Sequence, residues 1–309
     1  MTGKDTAVVD TTQNSKGLDA FRTAEGGFAM LALDQRESLR EMFPIAEGAD
    51  LPDDDVLREF KRVAAGVLTP FATGVLLDRP LGVSTPHRPD WIAEGCGLLL
   101  AADVLHSVRG VGVLSTSLDE QVTPELIEGS GAAAIKLLII WRRDSTEHQQ
   151  VVADFLAVAE AAGVASFVEG IVRPPVDGAW VDAADRHAAI IEAARELSVG
   201  ASVYKAEVPG YVPGDVSLVT EQSRLLTSAI DVPWVVLSNG VRAEDFGDAV
   251  TAACAGGASG FLAGRAIWAD TVGLPDQKDA LEKMSVPRLR SFSTIVRESR
   301  QSAISRLEG

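Results

Sequence analysis

Four ionisable residues interrupt or close apolar, strand-like runs of this chain, where a charge is costly unless it is paired or put to use. Asp34 closes Phe28-Ala29-Met30-Leu31-Ala32-Leu33, and Lys136 interrupts Ala133-Ala134-Ile135-Lys136-Leu137-Leu138-Ile139-Ile140. Glu169 interrupts Ser166-Phe167-Val168-Glu169-Gly170-Ile171-Val172, and Lys205 lies in Ala201-Ser202-Val203-Tyr204-Lys205-Ala206-Glu207-Val208-Pro209. The chain has only seven lysines, so two of them inside such runs is a signal. Burial and a neighbouring cation both favour the neutral form of a lysine, and a neutral amine attacks a carbonyl carbon. Lys205 is given that role, with Lys136 as the second cation. Glu169 supplies a carboxylate able to move protons while a carbinolamine forms and dehydrates, and Asp34 one able to take a proton from a substrate hydroxyl. The competing reading is a buried ion-pair network of Lys136, Glu169 and Lys205 with no catalytic part, since such networks perturb pKa values too.

The spacing says what must carry these groups. From Lys136 to Glu169, Lys205, Ser238 and Arg265 the steps are 33, 36, 33 and 27 residues. Each is close to one strand plus one helix. Strands are predicted at 28–34, 74–78, 97–103, 133–141, 166–173, 202–209, 234–238 and 260–264, rich in Val, Ile and Leu with little alternation, as in a parallel sheet covered on both faces. Residues two apart share a strand face, which puts Val203, Lys205 and Glu207 together. Helices are predicted between the strands, with acidic residues heading 53–68, Thr123-Pro124 starting one helix, and Gly163 stopping another over 147–162. Others fall at 185–197, 216–230 and 243–255. Eight βα repeats allow a closed barrel or a doubly wound open sheet. The open sheet announces itself by a glycine-rich turn after its first strand, and here that strand runs into Asp34-Gln35-Arg36-Glu37. The expected fold is therefore a single-domain (β/α)8 TIM barrel over residues 17–309. Residues 1–16 form a flexible N-terminal extension, and the Arg/Ser/Glu-rich tail over 279–309 one or two solvated helices.

Composition narrows the function. Apolar residues make up 46% and charged residues 23% of 309, as in ordinary globular enzymes, and a formal charge of −16 argues against nucleic acid or anionic membrane as partner. Two cysteines cannot build a disulfide framework, and no apolar run reaches membrane-spanning length, so a cytoplasmic protein is expected. An anionic substrate then needs a local positive site. Ser238 and Gly240 follow the seventh strand, and Gly264 and Arg265 the eighth. Small residues let backbone N–H groups approach a phosphate, Arg265 adds a charged fork, and this end of a barrel is where phosphate sites recur. Tight turns alone would also account for the glycines. Gln35, Arg36, Arg142 and Arg173 follow the first, fourth and fifth strands and are candidates for a second, distal anion. Asp78 and Asp103 end strands two and three, as site-lining groups or helix caps. His87, His106, His148 and His187 show no ligand spacing and are placed at the surface or in caps, so neither metal nor other cofactor is expected.

Several of these segments together resemble a known family. Phe28-Ala29-Met30-Leu31-Ala32-Leu33-Asp34-Gln35-Arg36, the Lys136 strand, Tyr204-Lys205-Ala206-Glu207-Val208-Pro209 and the stretch from Gly257 to Trp268 look like the class I aldolases of the tagatose 1,6-bisphosphate aldolase group. Within it, Leu138-Ile139-Ile140-Trp141-Arg142, Val172-Arg173-Pro174-Pro175 and Gly264-Arg265-Ala266-Ile267-Trp268 are most similar to the sulfofructosephosphate aldolases. The resemblance implies a metal-independent lyase with Lys205 as Schiff-base lysine, Glu169 as acid/base and Lys136 and Asp34 beside them. Ser238, Gly240, Gly264 and Arg265 correspond to the C1-phosphate site, with Asn239 departing from the smaller residue usual there. The implied reaction cleaves 6-deoxy-6-sulfofructose 1-phosphate to dihydroxyacetone phosphate and 3-sulfolactaldehyde. Tagatose or fructose 1,6-bisphosphate is the nearest alternative substrate, and a non-catalytic sugar-phosphate sensor the more distant one. A homo-oligomer, dimer or tetramer, is the expected assembly.

Overall fold

A strand covered on both faces has no solvated side to keep polar, and eight such strands close on one another here. A computed structural model describes residues 17–45 and 50–307; the expected N-terminal extension, residues 1–16, lies outside them. The strands are β1 (Phe28–Leu33), β2 (Gly74–Asp78), β3 (Gly97–Ala101), β4 (Asp103–Val108), β5 (Gly112–Leu118), β6 (Ala134–Trp141), β7 (Ala165–Val172), β8 (Val203–Ala206), β9 (Trp234–Val236) and β10 (Gly260–Ala263). In the order β1-β10-β9-β8-β7-β6-β3-β2 eight of them form a closed parallel barrel, the expected (β/α)8 architecture in a single domain. Around it run α1 (Glu37–Arg40), α2 (Asp54–Leu68), α3 (Pro124–Ser130), α4 (His148–Ala162), α5 (Ala183–Leu197), α6 (Val219–Thr227), α7 (Phe246–Ala255), α8 (Arg265–Trp268), α9 (Gln277–Ala280) and α10 (Val286–Leu307). The helix signals hold locally. Asp53 accepts from the Asp55 and Val56 amides at the head of α2, Thr123 accepts from the Leu126 amide before Pro124, and Gly163 ends α4 at φ 66°.

Alternation along each strand divides the core in two. Met30, Ala32, Leu76, Leu99, Phe167, Val203 and Leu262 fill the barrel, while Leu31, Leu33, Leu77, Val168, Tyr204 and Trp234 pack outward against the helices. The floor is closed by a short 3-10 turn, Leu18–Phe21, that sequence periodicity was too brief to reveal. Phe21 and Phe28 meet Phe167 edge-on, with ring centroids 5.7 and 6.4 Å apart. Gly74 and Gly97 are required for this plug, because a Cβ on either would lie 2.5 or 2.7 Å from the Phe21 ring.

Three expectations are corrected. The third strand stops at Ala101, and the chain then forms an antiparallel hairpin, β4–β5, with Val108, Val111 and Leu114 exposed. The C-terminal tail is not merely solvated. Leu289, Phe292 and Val296 of α10 are buried, and Phe292 packs edge-on against Phe246 and Phe261. Finally, β8 ends at Ala206, so Glu207 leaves the Lys205 face. Its carboxylate accepts from Arg186 of α5 at 2.7 Å and from the Val172 amide at 2.8 Å. Among the described residues, no helix is long and apolar enough to cross a membrane.

Candidate active site

Parallel strands bring their C-terminal ends to one mouth, and the register decides which residues meet there. Lys136 pairs across with Phe167, Leu138 with Glu169, and Glu169 in turn with Lys205. Asp34 follows β1, and Asp103 begins β4 just past β3. All five ionisable groups are buried. Lys136 Nζ lies 2.9 Å from Asp34 Oδ2, 3.1 Å from Asp103 Oδ2 and 2.9 Å from Glu169 Oε2. Among the described residues, Lys205 Nζ has a single carboxylate within ion-pair distance, donating to the same Glu169 Oε2 at 3.0 Å. Glu169 thus bridges the two amines, and Asp103 proves to be a direct partner of Lys136 rather than a cap.

This asymmetry separates two lysines that look alike in the sequence. Burial opposes the charge on Lys136, but Asp103, Asp34 and Glu169 overcome it and hold the ammonium well above the ordinary lysine range. Burial likewise opposes ionisation of Asp34 and Glu169, yet Lys136 and Lys205 hold both below the usual carboxylate range. Three carboxylates commit Lys136 to a charge, whereas Lys205 shares one of them, Glu169. The predicted neighbours are together, and they are not equivalent.

The other wall of the mouth is built from small residues. Ser238 is buried just past β9, and Gly240 turns the chain at φ 77°. Gly264, between β10 and α8, approaches β1 so closely that a Cβ would sit 2.4 Å from the Ala32 carbonyl oxygen. The Trp268 indole pins that approach, donating to the same carbonyl at 3.0 Å. Arg265 donates to the Asn239 side-chain carbonyl, and Asp34 and Glu169 act on its charge through space while burial pulls its pKa down. The Arg265–Asn239 contact thus ties the turn after β9, with Ser238 and Gly240, to the one after β10, with Gly264.

The four candidates for a distal anion part company. Gln35 turns towards β10, its amide nitrogen 3.1 Å from where a Gly264 Cβ would be, on the Arg265 side of the mouth. Arg36 turns the other way and is taken up by acids: Nη1 donates to the Asp103 carbonyl at 2.7 Å, Nη2 lies 3.1 Å from Asp103 Oδ1, and Nε 3.5 Å from Asp78 Oδ2. Two buried carboxylates on one guanidinium fork argue against a free anion-binding role for it. Arg142 donates to the Pro174 carbonyl and Arg173 to the Val172 carbonyl at 3.2 Å, so both stay on the loops after β6 and β7. His148 and His187 are buried, a correction: His148 Nε2 lies 2.9 Å from Glu196, and His187 Nδ1 accepts from the Gly210 amide. Lys61 was missed altogether. It is buried on α2 and reaches Asp78, and its one readable signal was its place on the stripe of Leu57, Ala64, Ala65 and Leu68.

The closed parallel barrel is a fold shared with known aldolases. The sequence profile described as DeoC/LacD family aldolase matches residues 28–270, and the chain belongs to that family. It is 29% identical over 281 residues to a tagatose 1,6-diphosphate aldolase of Listeria monocytogenes, with 83% of this chain and 81% of the relative covered. A tagatose 1,6-diphosphate aldolase of Streptococcus pyogenes is 27% identical over 289 residues, 85% of this chain and 87% of the relative. Among solved structures, an archaeal fructose 1,6-bisphosphate aldolase shares the fold with a TM-score of 0.62 at 17% identity, covering 93% of this chain and 99% of its own.

Proposed function

We propose that the protein is a class I aldolase that forms a Schiff base on Lys205 and cleaves 6-deoxy-6-sulfofructose 1-phosphate to dihydroxyacetone phosphate and 3-sulfolactaldehyde. The observation that carries the mechanism is the unequal sharing of carboxylates, three on Lys136 and one on Lys205. Glu169 takes a proton from the Lys205 ammonium, and the freed amine attacks the substrate C2 carbonyl. The same proton is returned to the carbinolamine hydroxyl as it leaves as water, giving the iminium. The iminium draws the electrons of the C3–C4 bond while Asp34, held ionised, takes the proton from the C4 hydroxyl. The aldehyde departs, the enamine is protonated at C3, and water releases dihydroxyacetone phosphate. Lys136 remains an ammonium and stabilises negative charge that develops beside it. The iminium is the electron sink, and the site's carboxylates are already neutralised by lysines, so no metal ion has work to do in this scheme.

Ser238, Gly240, Gly264 and Arg265 are assigned to the C1 phosphate, with Gln35 beside them. Arg142 and Arg173 remain the candidates for the distal sulfonate. Their loops are tied together by the Arg142–Pro174 contact, and the resemblance to sulfofructosephosphate aldolases lies in these same segments. A sulfonate carries one charge and a phosphate monoester nearly two, so the distal donors set the preference. Tagatose or fructose 1,6-bisphosphate is the alternative, favoured by the names of the relatives at 29% and 27% identity. A cytoplasmic homo-oligomer, dimer or tetramer, completes the proposal. Comparison of kcat/KM for sulfofructose 1-phosphate and both hexose bisphosphates decides the substrate. Borohydride trapping with dihydroxyacetone phosphate should place the adduct on Lys205; an adduct on Lys136 alone would reverse the two lysines.

A further inference from the structure

Beyond Lys136 the ionic contacts do not end; they run on to the outer layer of the fold. Asp103 divides its oxygens, Oδ2 to Lys136 at 3.1 Å and Oδ1 to Arg36 at 3.1 Å. Asp78 also divides them, Oδ2 lying 3.5 Å from Arg36 Nε and Oδ1 accepting from Lys61. Asp78 is locked by its own turn, accepting from the Leu81 amide at 3.2 Å, and Asp103 by the Leu138 amide at 3.0 Å. The result is a buried row of alternating charge from α2 to the site: Lys61, Asp78, Arg36, Asp103, Lys136, and then Asp34, Glu169 and Lys205. Along these ion pairs four basic side chains face four acidic ones, so the row itself balances, with Arg265 outside it acting on Asp34 and Glu169 through space.

We propose that Lys61, Asp78 and Arg36 are positioning residues that set the charge balance of the site and thereby the pH at which Lys205 becomes a free amine. The proposal rests on the aldolase reading for its meaning but not for its test. Packing alone does not call for Lys61. It occupies a position between Leu57 and Ala64 on the buried stripe of α2, where a methionine would fill similar space without burying a charge. What a methionine would not do is pair with Asp78 and leave half of Arg36 for Asp103. The groups that face Lys61 are Asp78, Asp34 and Arg36, and its field reaches far enough to favour ionised Asp34 behind those of Lys136 and Lys205. A neutral row keeps Lys136 charged without adding a net charge to Lys205. Removing one member leaves the row at minus one or plus one, in a medium that screens charge poorly.

The sign of the effect follows from the member removed. Lys61→Met and Arg36→Gln leave an excess negative charge, so every amine of the site holds its proton more tightly. Asp78→Asn leaves an excess positive charge and does the reverse. Carbamylation of Lys205 by cyanate, read by peptide mass analysis across pH, reports the free amine without substrate or turnover. We expect the midpoint to move up by about one pH unit in Lys61→Met and in Arg36→Gln. It should move down by a similar amount in Asp78→Asn, and return towards the wild-type position in the Lys61→Met/Asp78→Asn double variant. Arg36 is the most exposed member, at 16%, and serves where a variant of the inner pair fails to fold. Unmoved midpoints in folded variants, or shifts of one sign in all three, would overturn the proposal. If wild-type Lys205 gives no imine with dihydroxyacetone phosphate while the midpoints move as stated, the aldolase mechanism fails and the charge row stands.

Discussion

The two ends of this barrel are made from the same eight strands and solve opposite problems. At the floor, Phe21, Phe28 and Phe167 fill the opening with aromatic edges, and glycines at 74 and 97 leave room for them. Towards the mouth, the strands and the residues just past them carry Asp34, Asp78, Asp103, Lys136, Glu169 and Lys205, all buried and all polar. The floor contributes stability, since burying large apolar rings is the dominant favourable term in folding. The mouth contributes little of that kind, because the desolvation of buried charges offsets much of their attraction. Its charges are organised, with one lysine surrounded and the other left a single partner. That division matches the general pattern of such barrels, in which the C-terminal end carries chemistry and the opposite end carries the fold.

Substitutions should separate the ends cleanly. Lys205→Met is expected to abolish aldol cleavage and borohydride trapping while the thermal midpoint stays near or above that of the wild type, because a buried amine is replaced by an apolar chain. Residual turnover with intact trapping at another lysine would move the nucleophile elsewhere. Glu169→Gln is expected to lower kcat by about 10²–10⁴-fold with a much smaller change in KM, as for a group that transfers protons. A change confined to KM would make Glu169 a binding residue. At the floor, Phe21→Ala is expected to cost about 3–5 kcal/mol of stability, measured by denaturant unfolding, with kcat unchanged in the folded fraction. A loss of kcat without loss of stability would dissolve the distinction between the ends. Arg265→Ala should weaken kcat/KM by about 1.5–3 kcal/mol for sulfo- and phospho-substrates alike, since the C1 phosphate is common to all of them. A strong change in the ratio between them would mean that the substrate is oriented the other way round.

Much of the mouth was legible in the sequence because a charge inside an apolar strand is conspicuous, and because strand-plus-helix spacing forces those charges to one end. Lys136, Glu169 and Lys205 stood out for this reason, and the strands around them were placed to within a few residues. Lys61 was not legible, since a lysine on a helix is ordinary and only the path of the stripe shows that it faces inward. Arg36 was visible, but its partners were not: Asp78 and Asp103 lie 42 and 67 residues further on, and only closure of the barrel brings them to it. The floor was silent because Leu18–Phe21 is a single turn, too short for periodicity to register. The hairpin from Asp103 to Leu118 was not legible because its Val and Leu are interspersed with Ser, Thr and His without a regular period, in a half-exposed ribbon unlike the covered strands of the barrel.

The smallest effect expected is the share that the mouth contributes to the pH dependence of stability. Asp34 and Glu169 have their pKa values lowered in the folded protein by Lys136 and Lys205 against the opposing effect of burial. A carboxylate depressed in this way contributes stability that is fully present above its unfolded value, near 4, and is lost as pH falls through the folded value. Lys136 is raised, so its contribution is fully present below the unfolded lysine value, near 10.4, and is lost only as pH rises through the folded one. Across neutral pH both contributions are intact, and the thermal midpoint should be flat with respect to these groups. Below about pH 4 it should fall. Phe21→Ala lowers the midpoint at every pH without changing that fall, since no titrating group is lost. Lys136→Met removes the stronger of the two cations that hold both carboxylates ionised, so their folded pKa values rise and the acid-side fall becomes shallower or reverses. Thermal unfolding from pH 3 to 8 for the wild type and both variants measures the difference. Parallel curves for all three would mean that Lys136 does not control the charge of its neighbours, and that the two ends of the barrel are held together in the same way after all.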